Sequence, residues 1–359
     1  MSRDMTMQKS STMFIRQPAL YGDIKSQIAT LWGIKKRLTH NPSPNPIALN
    51  RKHLPLLRNT QYVVAEKTNG VRYLLLISKF TAGKRPFAVM VDRAFKMFQV
   101  QVCAPHYIYR GSLFDGELVW DEVSGCMKFL VFDVMAYGGK SVSHYYFLQR
   151  YEIINQAFLS AAEWNKSHIK EYSVAVETAG AFAAQKKIVC IPERGNLLFL
   201  YSKPCVLFKL FGSLIRTKLT HSSDGYIFTP VKCPVKNNAH LTMFKWKDEP
   251  TIDVLIKEHN QYFCGDDKEI VELCYVFPEY TFIFEKTRGL VFSRKDSFII
   301  ETTIREKSNK PGTFICQFHR IRTDKKNPNN KRTIEGIISE IRENITVDEL
   351  LALSQETML

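Results

Sequence analysis

The strongest constraint on this chain is a recurrence of short apolar runs, rich in β-branched and aromatic residues and cut by Gly, Asp or Asn. They fall at residues 62–65, 73–77, 87–91, 113–120 and 128–134. Runs of this kind read as strands. Two more, at 197–201 and 226–228, extend the set. Between Phe147 and Asn165 the pattern changes. Leu148, Tyr151, Ile154, Ala157 and Phe158 recur near a 3.6 period and predict a helix. After Lys247 a second group of strands begins, at 251–256, 272–276, 281–284, 290–292, 297–303 and 313–322. Short strands with turn signals over about 80 residues fit a small β-barrel, and the OB-fold is the commonest on nucleic-acid enzymes. Residues 333–353 read as amphipathic helix. Ile337, Ile338, Ile341 and Ile345 share a face, and Thr346 with Glu349 makes a capping box. Residues 1–50 give no clear element, and 41–46 and 232–238 read as connectors.

A chain of 359 residues has room for two domains, and 45 % hydrophobic residues supply a sizeable core. The net charge of +15 predicts a polyanionic partner, nucleic acid or nucleotide. The excess is uneven. Residues 1–60 hold ten Lys or Arg against Asp4 and Asp23, whereas residues 333–359 are acidic. No apolar stretch nears the roughly 20 residues of a membrane helix, and the first residues lack a signal-peptide core, so no membrane is expected. The eight cysteines form no C-x-x-C pair and lie mostly among apolar neighbours, which suits reduced core thiols.

The most informative stretch is Glu66-Lys67-Thr68-Asn69-Gly70-Val71-Arg72, between two apolar strands. A lysine at a strand end beside a glycine turn can reach into a pocket while the backbone approaches a phosphate. Desolvation or a neighbouring cation lowers its pKa and makes it a nucleophile. Alone, the stretch reads as a hairpin turn with an exposed lysine. It is followed by Phe114-Asp115-Gly116-Glu117-Leu118-Val119, then Phe129-Leu130-Val131-Phe132-Asp133-Val134. Next come Asp224-Gly225-Tyr226-Ile227-Phe228-Thr229-Pro230 and Phe244-Lys245-Trp246-Lys247, and last His319-Arg320-Ile321-Arg322-Thr323-Asp324-Lys325.

This ordered series resembles the covalent nucleotidyltransferase superfamily, and most closely the mRNA capping guanylyltransferases, from about residue 50 to 330. The resemblance implies an α+β fold. An ATP-grasp-like, antiparallel-sheet nucleotidyltransferase domain over 46–240 is followed by an OB-fold β-barrel lid over 241–332. A basic N-terminal segment, 1–45, precedes them. C-terminal amphipathic helices, 333–359, are expected to pack back on the nucleotidyltransferase domain. The reaction implied is two-step. Lys67 attacks the α-phosphate of GTP, and the lysyl-N-GMP then passes to the 5′-diphosphate end of RNA to form the cap.

The same resemblance assigns residues. Lys67, Asp224, Lys245 and Lys247 would be catalytic. Glu66, Thr68, Asn69, Gly70, Arg72, Arg93, Glu117, Phe132, Arg322, Asp324 and Lys325 would bind nucleotide, with Phe132 stacking on guanine. Glu117 and Asp224 would hold Mg²⁺ or Mn²⁺. Lys209-Leu210-Phe211 and Lys203-Pro204 both resemble the stretch whose lysine bonds guanine O6, and Lys209 is preferred. The family pattern at the nucleophile is Lys-x-Asp-Gly, and Asn69 departs from it. Asn keeps the size and an acceptor oxygen but loses the charge, and it is at home beside Gly in a turn.

Two other readings are kept. One is an ATP-dependent polynucleotide ligase of the same superfamily, disfavoured because the fourth motif opens on Asp224 and is followed by Ile227-Phe228-Thr229-Pro230. The other is a catalytically inactive RNA-binding scaffold. No phosphatase loop of the form His-Cys-x-x-Gly-x-x-Arg is present, so RNA triphosphatase and cap methyltransferase are expected on separate chains. RNA polymerase is a further expected partner. The expected compartment is the nucleus, or a viral cytoplasmic factory. The basic N-terminus is expected to act as an RNA-binding arm.

Overall fold

The computed structural model describes residues 17–35, 38, 41–100, 102, 104–168, 187–190, 198–257, 261–285, 297–322 and 325–356. The chain begins with α1 (Pro18–Trp32), β1 (Asn45–Ala48), a 3-10 turn over Arg51–His53 and α2 (Leu54–Asn59). β2 (Tyr62–Thr68) and β3 (Val71–Lys79) flank Asn69-Gly70. β4 (Pro86–Val91), β5 (Met97–Val100), β6 (Ser112–Asp121), β7 (Cys126–Tyr137), β8 (Lys140–Ser141) and α3 (Phe147–His168) follow. Then come β9 (Lys187–Cys190), β10 (Leu198–Ser202), β11 (Val206–Leu207), α4 (Phe211–Ile215), β12 (Ser223–Pro230) and β13 (Ala239–Lys247). The C-terminal part holds β14 (Thr251–Lys257), β15 (Gln261–Asp266), β16 (Glu269–Glu272), α5 (Leu273–Val276), β17 (Thr281–Phe284), β18 (Phe298–Glu306) and β19 (Thr313–Ile321). It closes with α6 (Lys331–Glu343) and α7 (Val347–Gln355).

The strands form three mainly antiparallel sheets. One has the order β1-β13-β12-β2-β11, a second β5-β4-β3-β6-β7-β10-β9 with β8 beside β7, and a third β16-β15-β14-β18-β19-β17. β3 shows why its sequence is an unbroken apolar run. Tyr73, Leu75 and Ile77 pack towards Ile154, Ala157 and Phe158 of α3. Leu74 and Leu76 point the other way, towards Ile24, Ile28 and Trp32 of α1. A strand covered on both faces needs no polar alternation. The five-stranded sheet buries Phe228, Phe244 and Trp246 against Phe211 of α4 and Leu350 and Leu353 of α7. The third sheet curls around Ile252, Val254, Ile300, Phe314 and Cys316, an OB-like half-barrel. The α+β architecture with a C-terminal OB-like unit is therefore the one observed.

Three expectations change. The basic N-terminal segment is not a free arm from residue 18 onward, because α1 inserts Ile24, Ile28 and Trp32 into the core. Residues 1–16 lie outside the described residues. The expected strand at 272–276 is the short helix α5, whose Leu273 and Val276 reach the barrel core at i, i+3 spacing. The two C-terminal helices part company. Ile334, Ile337 and Ile338 of α6 join the barrel core while that helix also touches β1, and α7 packs Leu350 and Leu353 into the core of the nucleotidyltransferase sheet. Ile345 lies in the link between them, and its carbonyl accepts from Trp246 Nε1 at 2.8 Å. The capping hydrogen bond forms as the sequence predicts, with Thr346 Oγ1 accepting from the Glu349 amide at 3.1 Å. The expected strand at 290–292 lies outside the described residues. Among the described residues no helix is long and apolar enough to cross a membrane.

Candidate active site

A cavity of about 700 Å³ opens where the three sheets meet. Its nucleophile region is set by a crossing of the chain. β2 belongs to the five-stranded sheet and β3 to the larger one, so the Asn69-Gly70 turn carries the chain across the seam and leaves Lys67 there. The seam is tight. A Cβ on Gly70 would stand 2.4 Å from the carbonyl oxygen of Leu118, so no larger residue fits without a backbone shift. The Asn69 amide is tied to the Ser222 carbonyl at 2.9 Å. Its side chain meets His319 of the barrel, Nδ2 to Nε2, at 3.4 Å.

Lys67 Nζ lies 2.5 Å from Asp224 Oδ1, and Lys247 Nζ lies 3.0 Å from Asp224 Oδ2. Burial, and then Lys247, hold the Lys67 ammonium below its ordinary pKa, against the opposite pull of Asp224. Burial alone would raise the Asp224 carboxyl, but Lys247 and Lys67 outweigh it and keep it ionised. Lys245 is pushed down to about 8 by burial and by Lys247. β13 therefore presents two lysines on one face, as alternation requires.

The barrel closes over this group. Lys247 Nζ reaches Glu301 Oε1 at 3.5 Å, and Glu301 Oε2 takes Arg320 Nε at 2.7 Å. Arg322 pairs with Asp253 at 3.1 Å and Glu301 at 3.5 Å, and Lys325 donates to Asp253. Asp253 and Glu301 face each other across β14 and β18.

On the other side of Lys67 the lining is suited to a base and sugar. The Phe132 ring is open to the cavity, with the Arg72 guanidinium 5.2 Å and Lys203 Nζ 5.7 Å from its centroid. Arg72 is held bidentately by buried Asp115, at 2.9 and 2.6 Å, and donates to the Pro44 carbonyl at 2.8 Å. Lys203 donates to Thr68 Oγ1 and sits 3.6 Å from Glu66. Glu117 accepts from the Gly70 amide at 3.3 Å, and Arg93 stands exposed among the lining residues.

The structure thus gathers Lys67, Thr68, Asn69, Gly70, Arg72, Arg93, Glu117, Phe132, Lys245, Lys247, Arg322 and Lys325 around one space, with Asp224 bonded into it. Two expected residues stand apart. Glu66 is buried beside the cavity rather than in its wall, with its carboxylate taken by Thr68, His221 and Lys203. Burial would raise its pKa, but Lys203 and the His221 hydrogen bond bring it down, so it serves as the buried anion that fixes Lys203. Lys209 is exposed on the turn Phe208–Leu210 and does not line the cavity, whereas buried Lys203 does. The choice between the two lysines is corrected on that ground. Asp324 lies outside the described residues.

Asp253, Glu301, Arg320 and Glu340 also line the cavity and were not singled out from sequence. A signal was present for the first two. Each is a lone acid within an apolar strand run, a place where a charge needs a partner. Glu340 belongs to α6 and its carboxyl is raised to about 7, by burial and against the pull of Lys245 and Lys247. A carboxyl raised on folding stabilises the fold fully below its unfolded pKa of about 4.5 and loses that contribution as pH rises through about 7. Glu340→Gln should therefore gain stability relative to wild type on going from about pH 5 to about pH 8. Melting temperatures of both proteins across that window check this, and a constant difference would refute it.

Mg²⁺-type metals are commonly bound through one or two carboxylates together with substrate phosphates and water. Glu117 and the Asp224 carboxylate supply such a donor set. Among the described residues no cluster of three or more His, Cys, Asp or Glu could cage a metal alone.

A desolvated lysine beside a second lysine and a carboxylate, under a lid of arginine and lysine, defines a covalent nucleotidyltransferase. Residues 12–249 match the mRNA capping enzyme catalytic domain, and residues 228–351 match the mRNA capping enzyme C-terminal domain. The chain belongs to the mRNA capping enzyme family and carries its guanylyltransferase activity. It is 25 % identical over 362 residues to the mRNA-capping enzyme subunit alpha of Schizosaccharomyces pombe, covering 91 % of this chain and 83 % of that one. It is 24 % identical over 325 residues to the mRNA-capping enzyme of Caenorhabditis elegans, covering 86 % of this chain and 48 % of that protein. Among solved structures, a mycobacterial DNA ligase D complexed with ATP and MES matches with a TM-score of 0.36 at 12 % identity, over 79 % of this chain and 94 % of that one. Family membership sets the ligase reading aside.

Proposed function

We propose that this chain transfers GMP from GTP through Lys67 to the 5′-diphosphate end of RNA. The observation that carries the reading is Lys67, desolvated beside Lys247 and Asp224 in the same cavity as Phe132 and the barrel cations. The neutral amine attacks the α-phosphorus and pyrophosphate leaves. Lys245 and Lys247 hold the α-phosphate oxygens, and Arg322 and Lys325 take the β- and γ-phosphates as the barrel closes. Asp224 orients Lys67 and Lys247 through its two oxygens. Glu117 and Asp224 would hold Mg²⁺ or Mn²⁺, which would spread the charge that builds on the phosphates. Phe132 offers a stacking face, and Lys203 beside it offers a cation to guanine O6, where adenine carries an amino group instead.

The relatives named subunit alpha imply a partner subunit in those proteins. For this chain the corresponding proposal is an RNA triphosphatase and a cap methyltransferase on separate polypeptides, acting near RNA polymerase. The proposed compartment is the nucleus, with a viral cytoplasmic factory as the alternative. The test is incubation with α-labelled GTP or ATP and Mg²⁺ or Mn²⁺. GTP should give a protein-bound label that acid releases and base does not. Labelling from ATP in preference to GTP would overturn the assignment.

A further inference from the structure

The cavity continues past the groups assigned above. Across the five-stranded sheet, Lys67 stands on β2, Asp224 on β12, and Lys245 and Lys247 on β13, with β1 next in order. Neighbouring strands lie about 4.8 Å apart, so β13 is about 10 Å from β2. The lobe with Phe132 and Lys203 falls on the β2–β11 side, where Cys205 also lines it. On the opposite side the lining runs over β1 to Asn50, Lys52 and His53, and across to Arg332 at the start of α6. α6 packs against β1 and so forms the far wall of this second lobe.

Reaction geometry calls for an occupant there. Phosphoryl transfer is an in-line displacement. In the first step a bond forms between Lys67 Nζ and the α-phosphorus, the bond to the bridging oxygen breaks with its electron pair leaving on pyrophosphate, and Nζ gives up a proton to solvent. In the second step a β-phosphate oxygen of the RNA attacks the same phosphorus opposite Nζ. The P–N bond breaks, and its electron pair, then a proton from solvent, return to Lys67. The acceptor therefore enters on the face that pyrophosphate vacated, and the RNA chain behind it leaves the cavity on the side away from Lys67.

The charges sort the same way. Lys67 and Lys247 pair with Asp224, Arg320 with Glu301, Arg322 and Lys325 with Asp253, and Arg72 with Asp115. Lys52 and Arg332 are exposed, and among the described residues neither takes part in an ion pair. The acid of this lobe, Glu340, is turned to Lys245 and to the Lys247 backbone amide. Two uncompensated cations at the mouth of a cavity that handles phosphates suit a polyanion arriving from outside.

We propose that Lys52 and Arg332 form the acceptor-strand subsite, holding the phosphates of the first nucleotides of RNA as the chain leaves between β1 and α6. The proposal rests on the guanylyltransferase reading and adds the path of its second substrate. Recognition is by charge, so no base preference is expected.

The test uses the full-length Lys52→Ala/Arg332→Ala double variant. GMP-enzyme should form from labelled GTP at the wild-type rate. The isolated GMP-enzyme is then chased with a 5′-diphosphate RNA oligonucleotide or with a nucleoside diphosphate. Transfer to subsaturating oligonucleotide should fall about ten-fold, and its salt dependence should become shallower by about 1.4 in logarithmic slope, roughly 0.7 for each phosphate no longer neutralised. Transfer to the nucleoside diphosphate should be unchanged. Unaltered transfer to the oligonucleotide overturns the proposal, as does an equal loss with both acceptors or a loss already present in GMP-enzyme formation. A wild-type protein that forms no GMP-enzyme overturns the guanylyltransferase reading itself, and the proposal with it.

Discussion

Lys67→Ala is expected to leave no protein-bound GMP after incubation with labelled GTP, a loss of roughly 10⁴-fold or more, as for removal of other covalent nucleophiles. Lys67→Arg should be equally inactive. A guanidinium keeps the charge and the pairing with Asp224, but it cannot lose a proton at accessible pH to become a nucleophile. The pair of variants separates charge from nucleophilicity. Neither should unfold the protein, because Lys67 retains partial exposure and Asp224 keeps Lys247 as a partner at 3.0 Å. Unchanged thermal melting with complete loss of label is the expected combination. Label persisting in either variant would place the nucleophile elsewhere, and the Lys67–Asp224–Lys247 geometry would need another purpose.

What the sequence could and could not reveal follows the range of the interactions. Lys67 and Gly70 were legible because a strand, a turn and a second strand are adjacent in the chain. Asp224 and the alternating Lys245 and Lys247 were legible for the same local reason. α1 was hidden. Its apolar face is three large residues set in a basic, acid-poor stretch, and only packing against β3 shows what it covers. The choice between Lys203 and Lys209 was also non-local. Lys203 follows Ser202, which pairs with Val131, and that cross-strand register brings it beside Phe132. Nothing in the residues around Lys209 says that its turn points to solvent. Asp253 and Glu301 lie 48 positions apart in sequence yet pair directly in the barrel sheet. Each looked anomalous in its strand, but the lysines and arginines that account for them come from β13, β19 and the segment after it. The departure at Asn69 also gains a physical setting, since a neutral amide there meets an imidazole on the barrel.

Gly225→Ala is the substitution expected to damage both fold and activity. Gly225 has φ +148°, and a Cβ there would stand 2.0 Å from the Trp246 carbonyl oxygen and 2.9 Å from Lys247 Cα. Both obstacles are backbone, so no side-chain rotation relieves them. The residue pairs with Lys247 across β12 and β13, and the register of β12 against β2 shifts between Ser223 and Tyr226. To admit a methyl group, the two strands must part at the point where Asp224 is presented to Lys67 and Lys247. Overpacking and a disfavoured backbone conformation together cost about 3 kcal/mol. Urea unfolding should show a lowered midpoint with unchanged slope. GMP-enzyme formation, measured where the variant is still folded, should fall about 10²-fold, because a misplacement of about 1 Å at a reacting centre has effects of that size. Gly22 is the control. It lies within α1 with open space around its Cα, so Gly22→Ala should stabilise the protein by about 0.5–1 kcal/mol and leave labelling untouched. If Gly225→Ala retained wild-type stability and labelling, the close approach of β12 to β13 could not be what positions Asp224.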